Sequence, residues 1–318
     1  MDATLLDPEI ADSLHALGIN PGNETTTALP DAELLALLRS QPAQYNPRPA
    51  AGVSRRDITI PGGAASLDVE IRVFELTERK AAAVPGLIWF HGGGYVIGSY
   101  DMDADKLDGL VLATGCVALS VNYRLAPEAP YPGPFEDGAV VLRFLSSQGR
   151  DLGVDPARII VAGSSAGAGL AAAVALFARD QGIRLVHQHL IYPMIDDRRA
   201  APSSRWPDPV WSAEMNTLGW RSYLADMFGR DDVPAYAAPA RAADLRGSAP
   251  AYIHVRGRDG FLREDIAYAT RLLASDVPVE LHVLPGAPHA FDVLAADAEI
   301  SRTALSLSDA ALRRALNR

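Results

Sequence analysis

The feature that most constrains the fold is a regular alternation that begins near Gly86, in which short apolar runs are separated by segments with the composition of helices. The apolar runs read GLIWF, CVALSVNY, RIIVAG, VHQHLIYP, PAYIHVRG and VELHVLPG. Strands that are buried on both faces have this composition, because helices cover both sides of the sheet. The alternation therefore predicts an α/β fold with a mainly parallel, doubly wound sheet and right-handed crossovers.

Helices are predicted at residues 107–113, 136–147, 166–179, 264–274 and 301–316. Val69, Ile71 and Val73, in contrast, alternate with charged side chains, which predicts a half-exposed strand such as the antiparallel edge of a sheet. Residues 197–247 are too long for a simple connection and rich in aromatic side chains, so an inserted helical element is expected there.

Residues 1–50 are predicted to form a helical appendage. Short helices are expected at 10–17 and 31–38, with a Pro/Gly/Thr-rich segment between them and an extended stretch at 41–50. The chain has 318 residues, of which 48% are hydrophobic and 21% charged, so it can bury a large core. No linker-like composition divides it, and one main domain is expected at residues 51–318.

The charge balance argues against several kinds of partner. Asp and Glu outnumber Lys and Arg by 39 to 29, and the formal charge of -10 repels nucleic-acid phosphates and anionic lipid surfaces. We expect no nucleic-acid partner and, since no apolar run approaches the roughly 18 residues that span a bilayer, no stable membrane insertion. The acidic N-terminus lacks a secretory pattern, and the one cysteine, Cys116, lies in an apolar stretch, which together predict a cytoplasmic protein.

The segment VAGSSAGAGL contains a G-x-S-x-G pattern from Gly163 to Gly167, with Ser165 at its centre. It follows a predicted strand and opens a predicted helix, which is the context that a nucleophile elbow requires. Taken alone, the two glycines are equally consistent with close packing of a helix on a strand. A serine nucleophile also needs a base and a carboxylate that orients the base, so partners must lie downstream.

Of the seven histidines, His289 is the best candidate for the base, because it occupies a loop that follows a strand. His254 and His282 fall within strands, where structural roles are expected. The loop after the preceding strand offers Asp259, Glu264 and Asp265 as the acid. We favour Asp259, with Glu264 as its main rival, because Glu264 and Asp265 fall in the first turn of the next predicted helix, where carboxylates often interact with the helix dipole.

The segment His91-Gly92-Gly93-Gly94 follows the strand GLIWF, and its glycines leave backbone N–H groups free to stabilise an oxyanion. The N–H of Ala166, directly after the nucleophile, completes such a site. A phosphate-binding loop is the competing interpretation, but the segment has neither the G-K-[ST] of a P-loop nor the G-x-G-x-x-G of a dinucleotide site.

These motifs resemble the hormone-sensitive-lipase-like esterases of the α/β-hydrolase superfamily. The likeness covers residues 86–293 and includes HGGGYVIGS, VNYRLAPEAPYP, DPARIIVAGSSAG, LIYPMID and PHAF. The resemblance implies Ser165, Asp259 and His289 as the catalytic triad, and it implies that the oxyanion donors are Gly93, Gly94 and Ala166. Ser164 and Ala168 depart from the family pattern, which has Asp before the nucleophile and Gly after the A-G pair.

The resemblance further implies a helical cap built from residues 1–50 and part of 197–247. Five side chains there line an acyl pocket or pack the cap on the core, and the sequence does not distinguish these roles: Trp206, Trp211, Trp220, Tyr223 and Met227. Tyr123, Arg124 and Glu128 are expected to be structural supports.

The implied function is an enzyme, a serine carboxylesterase that hydrolyses small-molecule esters with short- to medium-chain acyl groups and needs no metal or organic cofactor. An amidase or peptidase would use the same triad, and a small-molecule receptor can use the same fold when the triad is broken. An edge strand or an exposed helix would allow a homodimer.

Overall fold

The computed structural model describes residues 6–19, 29–40, 48–63, 66–79 and 81–317. Within these ranges, one sheet contains the strands β1 (Val53–Ile60), β2 (Val69–Leu76), β3 (Val84–Phe90), β4 (Val117–Val121), β5 (Val154–Ser164), β6 (His187–Ile191), β7 (Ala251–Arg256) and β8 (Val279–Leu284). Their spatial order is β1-β2-β4-β3-β5-β6-β7-β8. β2 is antiparallel to both β1 and β4, and the other neighbours are parallel. The prediction of a mainly parallel α/β sheet is confirmed.

Helices flank the sheet on both faces. They are α1 (Pro8–Ala16), α2 (Asp31–Ser40), α3 (Ala104–Thr114), α4 (Gly133–Gln148), α5 (Ala166–Asp180), α6 (Ala213–Leu224), α7 (Leu262–Ala274), α8 (Phe291–Leu294) and α9 (Glu299–Leu316). Apolar side chains of α4, α5 and α7 share one core cluster with the strands, and those of α3 and α9 share another. The doubly wound arrangement follows, and α3, α4, α5, α7 and α9 lie within a few residues of their predicted positions.

The strand predicted from Val69, Ile71 and Val73 is β2, and its pairing is antiparallel as expected, but it is neither half-exposed nor an edge strand. β2 lies between β1 and β4, and most of its residues are buried. Its two buried charged side chains are paired: Arg72 binds Asp57 at 2.7 Å and also Asp101, and Glu75 binds Arg56 at 3.0 Å, whereas Glu70 is exposed. Because neighbouring elements neutralise these charges, an alternating pattern that is typical of an exposed face occurs in an interior strand.

The inserted segment at residues 197–247 contains α6 and three short 3-10 turns. Trp220 and Tyr223 of α6 are fully buried, and the Tyr223 ring stacks on that of Tyr95 with centroids 4.1 Å apart. These two aromatic residues therefore pack the insertion against the core. The expectation of a helical element at this position agrees with the structure.

The N-terminal helices contact the main domain at different places. Ile10 and Leu14 of α1 pack on Leu284 and Phe291, and the Asp7 N–H donates to Gly286 O at 2.9 Å. Arg39 of α2 forms an ion pair with Glu128 at 2.6 Å. The Pro/Gly/Thr-rich segment at 20–28 and most of the stretch predicted to be extended, residues 41–47, lie outside the described residues.

Two further findings bear on the expectations from composition. No helix in the described part of the chain has the length and apolar character needed to cross a membrane. Cys116 is buried at the start of β4, and burial raises the pKa of its thiol to about 11, so the thiolate form is disfavoured.

Candidate active site

Ser165 lies at the sharp turn between β5 and α5. Its backbone angles, φ 55° and ψ -121°, are unusual for a residue with a side chain. The Ser165 N–H donates to Ile191 O at 2.9 Å, and its carbonyl accepts from the Met194 N–H at 3.0 Å. These two bonds to the end of β6 and the segment after it hold the turn in its strained conformation.

The glycines on either side of Ser165 are required by close backbone contacts. A Cβ atom on Gly163 would lie 2.5 Å from the carbonyl carbon of Gly167. A Cβ atom on Gly167 would lie 2.1 Å from Phe90 O and 2.2 Å from His91 O. Close packing of helix on strand is therefore real, and it occurs together with the sharp turn that an elbow needs.

His289 connects Ser165 to Asp259. The Nε2 atom of His289 lies 3.0 Å from Ser165 Oγ, and its Nδ1 atom lies 2.8 Å from Asp259 Oδ2. Since β5, β7 and β8 are parallel, the loops after them meet at one edge of the sheet. The three side chains are buried, so few water molecules compete for these hydrogen bonds.

Two aromatic rings contact the His289 imidazole. The Tyr192 ring is 4.7 Å away and the Phe261 ring 5.2 Å away, both in edge-to-face geometry. The second oxygen of Asp259, Oδ1, accepts from the Phe261 N–H at 2.9 Å. The acid and one of the flanking rings thus belong to the same short loop after β7.

Glu264, the rival acid, is directed elsewhere. It lies in the first turn of α7, where its Oε1 accepts from the backbone N–H groups of Ile195 and Asp196, each at 3.2 Å. Burial raises the pKa of Glu264 well above its usual range. Its contacts support the segment after β6 and do not reach the imidazole.

The glycine-rich loop after β3 runs beside the nucleophile. A Cβ atom on Gly92 would lie 3.5 Å from Ser165 Cβ, and Gly93 and Gly94 have φ values of 110° and 59°. Among the hydrogen bonds of the described residues, none is donated by the N–H of Gly93, Gly94 or Ala166. Ala166 is the first residue of α5, whose N–H has no partner within the helix.

Trp211 forms a wall next to this loop. A Cβ atom on Gly94 would lie 2.2 Å from the Cη2 and Cζ2 atoms of Trp211. The Trp211 ring is also 6.5 Å from the His289 ring, between centroids. Of the five aromatic and Met side chains expected in the insertion, Trp211 is therefore the one with contacts to both the glycine loop and the histidine.

Residues of the YRLAPE segment support the glycine loop. The Tyr123 hydroxyl donates to His91 O at 2.9 Å, and the two rings stack with centroids 4.1 Å apart. Burial lowers the pKa of His91 to about 4, so this imidazole is neutral. Arg124 binds Asp137 at the start of α4. These contacts agree with the structural roles expected for Tyr123 and Arg124.

Asp208 is a site residue that the sequence analysis did not identify. Its Oδ2 accepts from the backbone N–H of His289 at 2.9 Å, and its Oδ1 accepts from the N–H groups of Val210 and Trp211 at 2.8 and 3.0 Å. The only local signal is an Asp-Pro pair, which is typical of a turn. Burial, followed by the charge of Asp259, raises the pKa of Asp208 to about 6.

The other strand histidines have partners outside this site. His254 contacts Tyr252 and Arg256, and His282 contacts Glu280. Burial lowers the pKa of His254 well below its usual range, so it is neutral. In the part of the chain that the structure describes, His, Cys, Asp and Glu form no group of three or more suited to a metal ion.

Known proteins share both the sequence and the fold. Residues 87–293 match the model of a family described as the alpha/beta hydrolase fold. Esterase LipI of Mycobacterium tuberculosis is 36% identical over 229 residues, which is 71% of each chain. An ethyl acetate hydrolase of Pseudomonas putida is 32% identical over 216 residues, covering 67% of this chain and 68% of that one.

A similar solved structure is described as a bacterial heroin esterase. It has a TM-score of 0.85 and 35% sequence identity, and the match covers 99% of both chains. The chain therefore belongs to the α/β-hydrolase-fold family, in its hormone-sensitive-lipase-like branch.

Proposed function

We propose that this chain is a serine carboxylesterase that hydrolyses small-molecule esters, with Ser165 as nucleophile, His289 as base and Asp259 as the acid that orients it. The observation that carries the proposal is the continuous path of hydrogen bonds from Ser165 Oγ through the imidazole to Asp259 Oδ2. The esterases among the relatives support the same reaction class.

In the proposed mechanism each nitrogen of His289 has its own role. A carboxylate only accepts hydrogen bonds, so Nδ1 carries the hydrogen and Nε2 accepts from the Ser165 hydroxyl. Nε2 takes the Ser165 proton as Oγ attacks the ester carbonyl, and Asp259 stabilises the imidazolium that forms. His289 then protonates the leaving alcohol, and water that it activates releases the acid from the acyl-enzyme.

The oxyanion of each tetrahedral intermediate would be bound by the N–H groups of Gly93, Gly94 and Ala166. Support comes from their position beside Ser165 and from the lack of another acceptor for them among the described residues. Backbone donors that are already fixed in place stabilise developing charge without reorganisation. Gly92 would shape the turn, because a Cβ atom there would lie 3.3 Å from Ser164 Oγ.

We infer a preference for short- to medium-chain acyl groups. The Trp211 ring narrows the space beside Gly94 and His289, and one relative is an ethyl acetate hydrolase. In this proposal the inserted segment and the N-terminal helices act as a cap over the site. The single cysteine, Cys116, is buried and has no second cysteine to pair with, which favours a cytoplasmic location.

The test uses p-nitrophenyl acetate, butyrate, octanoate and palmitate with the wild-type chain and two serine variants. We expect the wild type to hydrolyse the shorter esters and to be inactivated by a serine-directed organophosphate. Ser165→Ala should lower kcat by about 10^6-fold, or to the background rate, because no other group can form the acyl-enzyme. Ser164→Ala is the matched control, since it removes the neighbouring hydroxyl and keeps the nucleophile.

Hydrolysis by a folded Ser165→Ala protein at the wild-type rate would contradict the assignment of the nucleophile. Matched anilides, tested in parallel, separate an esterase from an amidase with the same triad. Ligand binding without turnover by the wild type would instead indicate a receptor. The intact hydrogen bonds of Ser165 and His289 favour the enzyme.

A further inference from the structure

One buried carboxylate touches both the catalytic loop and the wall of the proposed site. Asp208 lies in the inserted segment, and it accepts three backbone hydrogen bonds from two different parts of the chain. The Oδ2 atom binds the N–H of His289, and the Oδ1 atom binds the N–H groups of Val210 and Trp211. The base and the aromatic wall are thus attached to the same side chain.

We propose that Asp208 is a positioning residue for the reaction proposed above, because its carboxylate fixes the backbone of His289 and that of Trp211 relative to each other. The inference rests on the proposed function, since it concerns how the base and the substrate-binding wall of that same site are aligned. Asp208 itself contacts no reacting atom.

The arrangement requires a carboxylate and not merely a polar side chain of the same size. Both carboxylate oxygens of Asp208 accept hydrogen bonds from backbone N–H donors. Asparagine has one acceptor oxygen, so its NH2 group would face a backbone N–H at one of the two ends. A buried N–H without an acceptor is costly, and the attached loop would move to find another partner.

The charge of Asp208 also acts on the imidazole. The titratable groups that influence Asp208 are Asp259, in the loop after β7, and His289, in the loop after β8. Burial is the largest cause that raises the pKa of Asp208, which reaches about 6, so the side chain is mainly ionised at pH 8. Two negative charges, those of Asp208 and Asp259, therefore face the imidazolium that forms during the reaction.

The same side chain determines where the Trp211 ring lies. The ring packs against Gly94 so closely that a Cβ atom on this glycine would be 2.2 Å from it. A change in the backbone at Trp211 would move the ring away from the glycine loop and widen the space next to the oxyanion donors. In this proposal Asp208 therefore has two effects. It aligns the base, His289, and through Trp211 it sets the width of the site.

The first experiment measures kcat/KM for p-nitrophenyl butyrate against pH with the full-length chain. Asp208→Asn removes the charge and keeps the volume. The acid limb of its profile should move to lower pH by up to about one unit, because the imidazolium loses the negative charge that Asp208 carries above its pKa of about 6. Rates are expressed per active site, titrated with the organophosphate, so that loss of folded protein does not affect the profile.

Asp197→Asn is the matched control. Asp197 is an equally buried aspartate of the inserted segment, but it pairs with Arg241 at 2.6 Å and has no contact with His289 or Trp211. We expect this variant to lose stability and to keep the acid limb of the wild type. If Asp208→Asn only destabilised the fold, it would likewise lose stability and keep the acid limb of the wild type.

The second experiment needs no substrate. Asp208→Ala removes all three acceptor contacts, so the tryptophan emission spectrum should shift as Trp211 is released. The shift should be absent when the same substitution is made in a Trp211→Phe background, which assigns it to this residue among the four tryptophans. If Asp208→Ala does not fold, Asp208→Ser in the same pair of backgrounds gives the comparison.

The outcomes separate the two proposals. An acid limb of Asp208→Asn at the wild-type pH, or a spectrum that does not depend on Asp208, would overturn the positioning role. Absence of ester hydrolysis and of organophosphate labelling in the wild type would overturn the proposed function, and the fluorescence comparison would then decide alone whether Asp208 positions Trp211.

Discussion

Asp259 differs from its neighbouring carboxylate Glu264 in the direction of its hydrogen bonds, not in its degree of burial. Both are buried in the segment that follows β7. Asp259 Oδ2 is 2.8 Å from the imidazole of His289, whereas the oxygen of Glu264 binds backbone N–H groups after β6. At the scale of the residue, the orientation of the carboxylate therefore decides which of the two can act on the base.

Asp259→Asn should lower kcat for ester hydrolysis by about 10^4-fold. The asparagine oxygen can still accept from the Phe261 N–H, so its NH2 group would face His289 Nδ1 and favour the tautomer that carries hydrogen on Nε2. That tautomer cannot accept the proton of Ser165. Steady-state kinetics with p-nitrophenyl butyrate measure the loss.

Glu264→Gln is the comparison for this prediction. The substitution keeps the volume of a side chain that is likewise buried, in the first turn of α7, and we expect its kcat to stay within a few-fold of the wild type. An active Asp259→Asn protein together with an inactive Glu264→Gln protein would reverse the assignment of the acid.

At the scale of the secondary-structure element, the turn between β5 and α5 determines the shape of the site. The strand ends at Ser164 and the helix begins at Ala166, so one residue makes the whole turn. Gly163 and Gly167 let the first turn of α5 lie directly on the end of β3. The helix N-terminus, with its free N–H groups, consequently faces the carbonyl that Ser165 would attack.

Gly167→Ala should lower the free energy of unfolding by about 2 kcal/mol or more, at the upper part of the range for overpacked cores. The new methyl group would lie 2.1 Å from Phe90 O, and two backbone segments would have to separate. Urea unfolding followed by circular dichroism measures the change.

Ala168→Gly tests whether the effect is specific to the contact. This substitution in the same helical turn restores the family's glycine and should cost only about 1 kcal/mol, the difference in helix propensity. Equal losses in the two variants would contradict the proposed clash at position 167.

Much of the core and of the site was predictable, because the signals for them are local. Strands β3 to β8 are apolar runs bounded by turns, and Ser165 and His289 occur at their ends. β1 was missed because its sequence VSRRDITI carries charges whose partners lie in β2. Asp208 was missed for a related reason: the residue it binds, His289, is 81 positions away, and only the folded chain brings them together.

At the scale of the whole molecule, the N-terminal helix α1 packs on the loop that carries His289. Ile10 and Leu14 form a small apolar cluster with residues on both sides of His289, among them Ala287 and Phe291. This cluster is separate from the two cores that flank the sheet. Loss of α1 would therefore expose the loop after β8 before it affected the sheet.

Leu14→Ala should lower the free energy of unfolding by about 2 to 5 kcal/mol, because Leu14 is completely buried in this cluster. Thermal and urea unfolding of the full-length chain measure the effect. Leu17→Ala is the control, since Leu17 follows the same helix and is 56% exposed. A comparable loss in the control would show that burial in the cluster is not responsible.

The homodimer considered from the sequence stays a prediction. Among the described strands β8 lies at one edge of the sheet, which leaves that side of its backbone open to a second strand, and Val283 on it is 45% exposed.

The backbone conformation of Ser165 lowers the stability of the fold, whereas its side chain supplies the proposed activity. A glycine would adopt a φ of 55° without strain, whereas a serine held there costs on the order of 1–3 kcal/mol. Folded domains have a margin of only about 5–15 kcal/mol. A lineage selected for stability alone would tend to replace this serine and would lose the proposed nucleophile. We therefore expect Ser165 to be retained only where selection maintains the proposed ester hydrolysis.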